Sequence, residues 1–546
     1  MATIERTASA PDTVRKHSTG PAGRRPSREA AAAALRTARA ALRAHWLFAV
    51  ILAAGLGLRV LSELAYRPAL LYIDSAKYLV GSAGTEPEGY RLLLRLLDPV
   101  GGLGLVAAVQ HGLGLATAVG LYALLIRRGV PRWGAALTAA PVLLDAYQLQ
   151  LEQTIMPDVL FETMVAAGLI LLLWRRRPGA RLIAAGALVL GLATTVREIG
   201  AVLIAPTLIF ALLTLSGRWR RARRAALAGA CFALPVVAYM VAAVAVYGHF
   251  GLASNGPAPE YGRTAAAADC ATLALPADER ALCPSPAQTL ALGGVDGLLH
   301  NPASPGLKAP VPAGLSHQQL VSSFSLAVLR QQPLRVAASI ARDSVRLFAL
   351  TRDGSPVITS ISRWQFQTFY PTYPRSYSIA VFTRLAHQAG SGAPAVDRPL
   401  ATALRDYQLH GGYTPGPLYA AALAAGLLGA LSGLARRRKP GCQSLVRDAS
   451  GREKPDRRTR TAADAERAAA CLLVTLSALV LLLSSDAFEF SWRYQLPAVV
   501  LLPLAGALGA TALTARFTAA RTASGGTGRR TRPASAASGL RGSAAR

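Results

Sequence analysis

The sequence predicts an all-α polytopic membrane protein with about ten transmembrane helices and a mixed, partly helical extracytoplasmic domain between spans seven and eight. Of its 546 residues, 52% are hydrophobic and only 16% are charged. The apolar residues are concentrated in blocks of about 18 to 25, the length that crosses a bilayer as a helix. Short arginine runs close many of these blocks, which is typical of the cytoplasmic ends of transmembrane helices.

The two ends of the chain differ in composition from the apolar blocks. Residues 1–44 are rich in Arg, Ala, Ser and Pro. We expect them to form a basic cytoplasmic tail that is disordered at first and then helical from Ser27 to Arg43. Residues 515–546 are rich in Arg, Ser, Gly and Thr, and are expected to form a disordered cytoplasmic tail.

The apolar blocks predict seven spans within residues 45–247 and three within residues 417–514. The first span contains Arg59 and Glu63, which lie four residues apart on one helical face and can pair. The predicted spans are Trp46–Leu64, Leu103–Ile126, Trp133–Tyr147, Val159–Trp174, Arg181–Thr195, Ile199–Leu215, Ala225–Tyr247, Pro417–Ala435, Ala468–Leu483 and Leu496–Leu513.

Alternate loops are basic, and this alternation predicts the sidedness of the chain. Besides the two tails, arginine clusters occupy loops 127–132, 175–181, 218–224 and 436–467. The positive-inside rule therefore places both termini in the cytoplasm and residues 248–416 outside. A net charge of +30 also suggests nucleic-acid binding. Because the charge lies at the ends of apolar blocks, it indicates topology instead, and no nucleic-acid partner is expected.

The long outer segment is expected to have two parts. Residues 253–315 are rich in Gly, Pro and Ala and are predicted to be mostly irregular, with Cys270 and Cys283 able to form a disulfide outside the cytoplasm. Residues 318–350 predict two amphipathic helices, the second beginning at Pro333. These helices could lie on the membrane, cover a site or form a small core. The aromatic run of residues 364–374 fits either sugar stacking or the lipid interface.

This orientation places polar residues from four different hairpins on the outer face. Each group lies at the boundary of a predicted span. If residues 74–78 are helical, the side chains of Asp74, Lys77 and Tyr78 share one face. Any one of them could be an ordinary interfacial charge or helix cap. Their convergence on one membrane face favours a polar site built from Asp74, Lys77, Tyr78, Glu152, Asp158, Arg197, Arg493 and Tyr494.

The layout resembles the multispan glycosyltransferases of the C superfamily (GT-C), which use lipid-phosphate-linked sugars, and is similar to their aminoarabinose transferase and protein O-mannosyltransferase group. The resemblance covers residues 45–250 best, and implies that residues 45–247 are a catalytic membrane core. One departure is Asp74-Ser75, where many relatives have two adjacent acidic residues. The matching segments are 74–78 (Asp-Ser-Ala-Lys-Tyr), 151–158 (Leu-Glu-Gln-Thr-Ile-Met-Pro-Asp), 194–198 (Thr-Thr-Val-Arg-Glu) and 493–497 (Arg-Tyr-Gln-Leu-Pro).

The resemblance implies transfer of a hexose or pentose from a polyprenyl-phosphate donor to a glycan, lipid or protein acceptor. Such a transfer requires a base for the acceptor proton and cations for the departing phosphate. Asp74 is the expected base and acts with inversion. Arg197, Arg493 and Lys77 are expected to bind the phosphate. Glu152, Asp158, Tyr78 and Tyr494 are expected to orient substrate hydroxyls.

Neither a cofactor nor a metal ion is expected, because arginines can neutralise a monophosphate leaving group. The Gly-, Ala- and Arg-heavy composition is typical of GC-rich bacterial genomes, so the protein is expected in a bacterial plasma membrane, in contact with its lipids. Two other classes of function remain open. One is a lipid-linked sugar flippase or other transporter, which would need charged residues near mid-span and repeated halves. The other is a non-catalytic scaffold that presents the outer domain.

Overall fold

A computed structural model of the chain describes residues 39–40, 42–214, 217–254, 260–373, 377–434 and 457–524. Within these residues, nearly all regular structure is helical, as predicted. The predictions for residues 1–38, for most of loop 436–467 and for the tail beyond residue 524 fall outside the described residues.

Helices coincide with each of the predicted spans in residues 45–247. The sixth predicted span begins with a 3-10 turn at Glu198–Leu203 before its α-helix starts. The helices are α1 (Trp46–Ala65), α2 (Ser75–Val80), α3 (Gly89–Arg128), α4 (Arg132–Leu144), α5 (Ala146–Gln153), α6 (Asp158–Leu173), α7 (Ala180–Thr194), α8 (Ile204–Leu213) and α9 (Arg218–Tyr247).

Five helices in the described residues are long and apolar enough to cross a membrane. They are Trp46–Ala65, Gly89–Arg128, Arg218–Tyr247, Ala463–Phe488 and Pro497–Phe517. Three further apolar helices, Ala180–Thr194, Glu198–Leu213 and Gly416–Ser432, are shorter. The structure therefore supports a helical membrane protein, and the total of ten spans stays a prediction.

The helix α3 is bent near its first third. Its backbone leaves the helical region at Gly102, where φ is 62° and ψ is −160°, three residues after Pro99. The Leu103 amide donates to Ser391 Oγ over 2.8 Å, so the bend is held by the outer segment. The predicted span Leu103–Ile126 is the part of the helix that follows this bend.

The outer segment is more helical than predicted. Residues 253–315, expected to be mostly irregular, contain five helices of four to seven residues, too short to show a helical period. The side chains of Ser285 and Ser304 cap two of them. The helices are α10 (Tyr261–Ala267), α11 (Ala277–Arg280), α12 (Pro286–Leu292), α13 (Gly294–His300), α14 (Pro305–Lys308), α15 (His317–Gln331), α16 (Pro333–Val345), α17 (Ile379–Gln388) and α18 (Arg398–Leu409).

The predicted amphipathic pair is present as α15 and α16. A capping box formed by Ser316 and Gln319 starts α15, and Pro333 is the first residue of α16. In α15 the buried apolar side chains are those of Leu320, Val321, Phe324 and Val328, which lie on one face of the helix. In α16 the apolar face is only partly covered, since Leu334 and Val345 are exposed. Cys270 and Cys283 form a disulfide beside this pair, with Cα atoms 6.0 Å apart.

A two-stranded antiparallel sheet ties the outer segment to the end of α1. Strand β1 (Tyr66–Arg67) pairs with β2 (Ala395–Val396), with Tyr66 opposite Val396. No strand was predicted here, because two residues are too few to show an alternation.

The last three helices pack closely around small residues. They are α19 (Gly416–Leu434), α20 (Arg457–Phe488) and α21 (Pro497–Ser524). A Cβ atom added to Gly509 would lie 2.1 Å from the carbonyl oxygen of Ala425, so α19 and α21 approach at backbone distance. The turn of residues 489–496, which contains Arg493, connects α20 to α21.

The predicted pair between Arg59 and Glu63 was wrong, because Arg59 binds Glu152 instead. Its Nη2 lies 2.7 Å from Glu152 Oε1, and both side chains are buried. The same guanidinium donates over 3.0 Å to the carbonyls of Val142 and Leu143, at the end of α4. The chain breaks its helix there, and the freed carbonyls draw the arginine away from its own helix.

Candidate functional site

Arg493 lies at the centre of the predicted polar site. Its Nη1 is 2.9 Å from Asp74 Oδ2. Its Nε is 3.1 Å from both carboxylate oxygens of Asp158, and its Nη2 is 3.0 Å from Asp158 Oδ2. The arginine side chain is only 5% exposed. Three residues predicted from separate hairpins thus meet in one buried cluster.

Asp74 is free to face Arg493 because it does not cap the helix that it precedes. It occupies the N-cap position of α2 but makes no capping hydrogen bond. The turn around it is fixed by Ser75, whose Oγ accepts from the Tyr72 amide and donates to the Ile155 carbonyl, each over 2.8 Å. The carboxylate is therefore held by the backbone around it while its oxygens face the cluster.

The other two residues of the first predicted group lie beside Asp74. Lys77 Nζ is 3.5 Å from Asp74 Oδ1 and 2.9 Å from Glu86 Oε1. Tyr78 is buried, and its ring packs edge-on against Tyr90 with centroids 5.3 Å apart. Lys77 thus adds a second cation next to Asp74, whereas Tyr78 contributes mainly to packing.

Asp158 begins α6 and binds two arginines. A carboxylate at a helix N-terminus is favoured by the partial positive charge there. Arg197 pairs with Asp158 through Nη1. Arg197 has an extended backbone between α7 and the 3-10 turn, which directs its side chain across to α6.

Aromatic rings line the other sides of the arginines. The ring of Tyr494 lies 5.2 Å from the guanidinium carbon of Arg197 and 5.3 Å from that of Arg493. Trp364, from the aromatic run, lies 5.6 Å from Arg493. Such contacts stabilise a desolvated cation by about 0.5–2 kcal/mol. Trp364, the first residue of the aromatic run, therefore lies at the site.

Glu152 does not join the cluster. It is fully buried, with Oε1 bound to Arg59 and Oε2 lying 2.9 Å from His111 Nδ1. Asp158, which was predicted from the same segment, contacts Arg493, whereas the Glu152 side chain points into the bundle. The structure places Glu152 in a buried ion pair with Arg59, apart from the contacts that Arg493 makes.

The charges of the cluster are strongly coupled. Burial alone would raise the pKa of Asp74, but the neighbouring Arg493 and Lys77 lower it below its ordinary value overall. Burial would lower the pKa of Arg493, but Asp158, Tyr494 and Asp74 raise it well above its ordinary value. The site at neutral pH therefore contains carboxylates already neutralised by guanidinium groups.

A cavity opens beside Arg493 and is lined by polar and apolar side chains. Its polar end presents Asp158, Arg197, Arg493 and Tyr494, and the polar residues Glu162 and Ser485 also line the cavity. Its remaining wall consists mostly of apolar side chains from α6, the 3-10 turn, α20 and the start of α21. A ligand with an anionic head and an apolar chain matches this division. The apolar wall is formed by Phe161, Ile199, Leu481, Leu496 and Pro497.

Two charged residues at the site were not predicted. Glu86 pairs with Lys77 and lies in the loop after α2. Arg363 donates to the Tyr72 hydroxyl over 3.2 Å and comes from the outer segment. A lone charge in a long loop has no periodic signal, although Arg363 stands directly before the aromatic run that the sequence singled out.

Comparisons with known proteins add a distant structural likeness. No family model and no curated protein matches the chain. Among solved structures, it is similar to the archaeal oligosaccharyltransferase AglB from Archaeoglobus fulgidus, solved in complex with an inhibitory peptide and a dolichol-phosphate. The TM-score is 0.39 and the identity 11%, over 90% of this chain and 53% of that chain. The chain thus spans about half the length of that protein, and a likeness at this level assigns no function.

Proposed function

We propose that the protein is a membrane glycosyltransferase of the GT-C type. It transfers a sugar from a polyprenyl-phosphate donor to an extracytoplasmic acceptor with inversion at the anomeric carbon. One observation carries the proposal: Arg493, bound by Asp74 and Asp158, faces a cavity with an apolar wall. Cations for a phosphate, a carboxylate base and an apolar wall beside them are three features that this reaction would use.

The donor would bind with its phosphate at the polar end of the cavity. A guanidinium fork binds phosphate oxygens in a bidentate manner, and Arg197 and Arg493 both line this end. Their present partners are carboxylates, so the phosphate would replace one anion with another. The polyprenyl chain would leave the cavity along Phe161, Leu481 and Leu496, and Lys77 would add positive charge nearby.

The transfer step follows from this placement. Asp74 takes the proton of the acceptor hydroxyl, and the acceptor oxygen forms a bond to the anomeric carbon. The bond between that carbon and the phosphate oxygen breaks on the opposite face, and polyprenyl phosphate leaves with the electron pair. Arg197 and Arg493 stabilise the charge that develops on the phosphate. Asp158 and Tyr494 orient the donor and the arginines.

Donor binding would also activate the base. Asp74 is a weak base while Arg493 binds it over 2.9 Å. When Arg493 turns towards the phosphate, this ion pair weakens and the carboxylate becomes more basic. The acceptor proton is then removed only when a donor is present, which limits unproductive chemistry.

The proposal includes the predicted topology and no metal in the transfer step. Ten spans, cytoplasmic termini and a bacterial plasma membrane would place the cluster at the outer surface, where lipid-linked sugars are used in the cell envelope. Arg197, Arg493 and Lys77 would donate hydrogen bonds to a monophosphate leaving group in exchange for their carboxylate partners. Transfer that requires added Mg²⁺ or Mn²⁺ would contradict this part of the proposal.

The test is the substitution Asp74→Asn in the full-length protein in proteoliposomes. Transfer from a radiolabelled polyprenyl-phosphate sugar is measured without added Mg²⁺ or Mn²⁺. Loss of a general base lowers the rate by about 10²–10⁴-fold. The matched control is Asp278→Asn on α11, an exposed aspartate, which leaves the rate unchanged.

Wild-type transfer by a folded Asp74→Asn variant would contradict the base assignment. If the wild-type protein transfers no sugar but moves the lipid-linked sugar between leaflets, the transporter alternative replaces the transferase. Absence of both activities would favour the scaffold alternative.

A further inference from the structure

A second polar cluster lies next to the candidate site and has no role in the transfer step. Asp296 and His300 come from α13 of the outer segment, and Glu489 is the first residue after α20. One ligand atom from each residue lies within 4.8 Å of the other two. An imidazole and two carboxylates are donors that Zn²⁺ and related divalent cations bind in proteins.

Asp296 and His300 are presented together on one face of α13. They are four residues apart in a helix, so their side chains project in the same direction. The helix itself is fixed, because Val295 and Leu298 are buried. A metal ion would therefore meet two ligands whose positions are set before it binds.

Glu489 provides the second, independent observation. The residue is only 6% exposed, and its Oε2 has no hydrogen-bond partner among the described residues. Its Oε1 makes one long contact of 3.5 Å with the Thr359 hydroxyl. A buried carboxylate oxygen without a partner is unfavourable, so a cation next to Glu489 Oε2 would stabilise the structure.

The neighbouring cations are already bound elsewhere. Arg363 lies 3.6 Å from Asp296 Oδ2 but also donates to the Tyr72 hydroxyl. Arg493 is held by Asp74 and Asp158. Two carboxylates thus face each other with one shared arginine at long distance, and a divalent ion would neutralise both.

We propose that Asp296, His300 and Glu489 bind a divalent metal ion, with water completing its coordination. The ion would connect the outer segment to the turn of residues 489–496, four residues before Arg493. It would hold that turn in place and would not contact the donor phosphate. Because the proposal concerns metal binding alone, it does not depend on the proposed transferase activity.

The test measures Zn²⁺ binding by the full-length protein, purified without a histidine tag and stripped with a chelator. After equilibration with ZnCl₂, bound zinc is counted by mass spectrometry, and the coordination is checked with the absorption bands of Co²⁺. We expect one equivalent of Zn²⁺ and a rise in Tm on binding. His300→Ala and Glu489→Gln should each weaken binding at least tenfold and remove the Tm rise.

The matched control is His387→Ala on α17, an exposed histidine of the same outer segment, which should bind Zn²⁺ like the wild-type protein. Because His300 is exposed, its variant should fold even if Glu489→Gln does not. Equal zinc binding by the wild-type and His300→Ala proteins, or none by the wild-type protein, would overturn the proposal. Neither result would affect the outcome of the transfer assay.

Discussion

At the scale of single residues, Arg493 decides how the site works, because it bonds two carboxylates at once. Its Nη1 contacts Asp74 while its Nε and Nη2 contact Asp158. An ammonium group carries the same charge but has no planar fork, so it cannot reproduce three contacts in fixed directions. The geometry of the guanidinium therefore matters as much as its charge.

The substitution Arg493→Lys should lower kcat by about 10²-fold, because it removes a donor that stabilises charge on the phosphate. The folded fraction, followed by size-exclusion chromatography and Tm, should stay close to that of the wild-type protein. Arg330→Lys, at an exposed position of α15, is the control and should not change kcat. A wild-type kcat in Arg493→Lys would show that a bidentate contact is not needed.

The ion pair between Asp74 and Arg493 should also give stability a defined dependence on pH. The folded-state pKa of Asp74 is lowered below its ordinary value of about 3.9. Its contribution is therefore complete above that value and is lost as pH falls through the folded-state pKa. The Tm difference between wild-type and Asp74→Asn proteins should be constant from pH 7 to about pH 5 and should shrink below about pH 4. A difference that instead changes between pH 5 and pH 7 would contradict a lowered pKa.

The sequence predicted some of these residues better than others, and the reason is physical. The predicted sidedness alone would bring Asp74, Asp158, Arg197 and Arg493 to one membrane face, because loop charge indicates which ends of the helices are outside. It does not fix the rotation of a helix about its axis. Glu152 lies near the same face but points into the bundle, where it meets Arg59.

At the scale of elements, long apolar helices were predictable and short elements were not. Blocks of apolar residues mark α1 and α9 because a bilayer demands length. The helices of residues 261–308 and the sheet between β1 and β2 are too short for a period to appear. Their positions are set by caps and by contacts with distant segments, which a local pattern does not contain.

The bend in α3 gives a prediction about stability. Gly102→Ala should destabilise the protein, because φ there is 62° and the new Cβ would lie 2.4 Å from Ser391 Oγ. A backbone with positive φ and ψ near ±160° is essentially restricted to glycine and costs a residue with Cβ about 1–3 kcal/mol, and the clash adds to this. Tm should fall in Gly102→Ala. Gly112→Ala in the same helix, with nothing within 4 Å of the new Cβ, should leave Tm unchanged or raise it slightly. Equal Tm values in the two variants would show that the bend is not needed.

At the scale of the whole molecule, buried polar contacts join the outer segment to the helical bundle. Arg263 of α10 pairs with Asp343 of α16 over 2.6 Å and donates to the carbonyl of Asp486 at the end of α20. Asp486 also accepts from Ser344 over 2.6 Å. The outer segment is therefore attached next to the turn that carries Arg493, and the two parts should move as one unit. This attachment requires the outer segment and the cluster to lie on the same side of the membrane.

That requirement leads to a test of the predicted sidedness. In a variant in which Cys442 of the basic loop is replaced (Cys442→Ser), a single cysteine is added by Asp278→Cys on α11 or by Gly179→Cys before α7. A maleimide that cannot cross membranes should label the first in intact spheroplasts, because α11 belongs to the outer segment. It should label the second only after permeabilisation, because loop 175–181 carries the arginines that stay in the cytoplasm. Labelling of the Gly179→Cys protein in intact spheroplasts would reverse the orientation and move the Asp74 cluster to the cytoplasmic face, where the acceptor of the proposed reaction is absent.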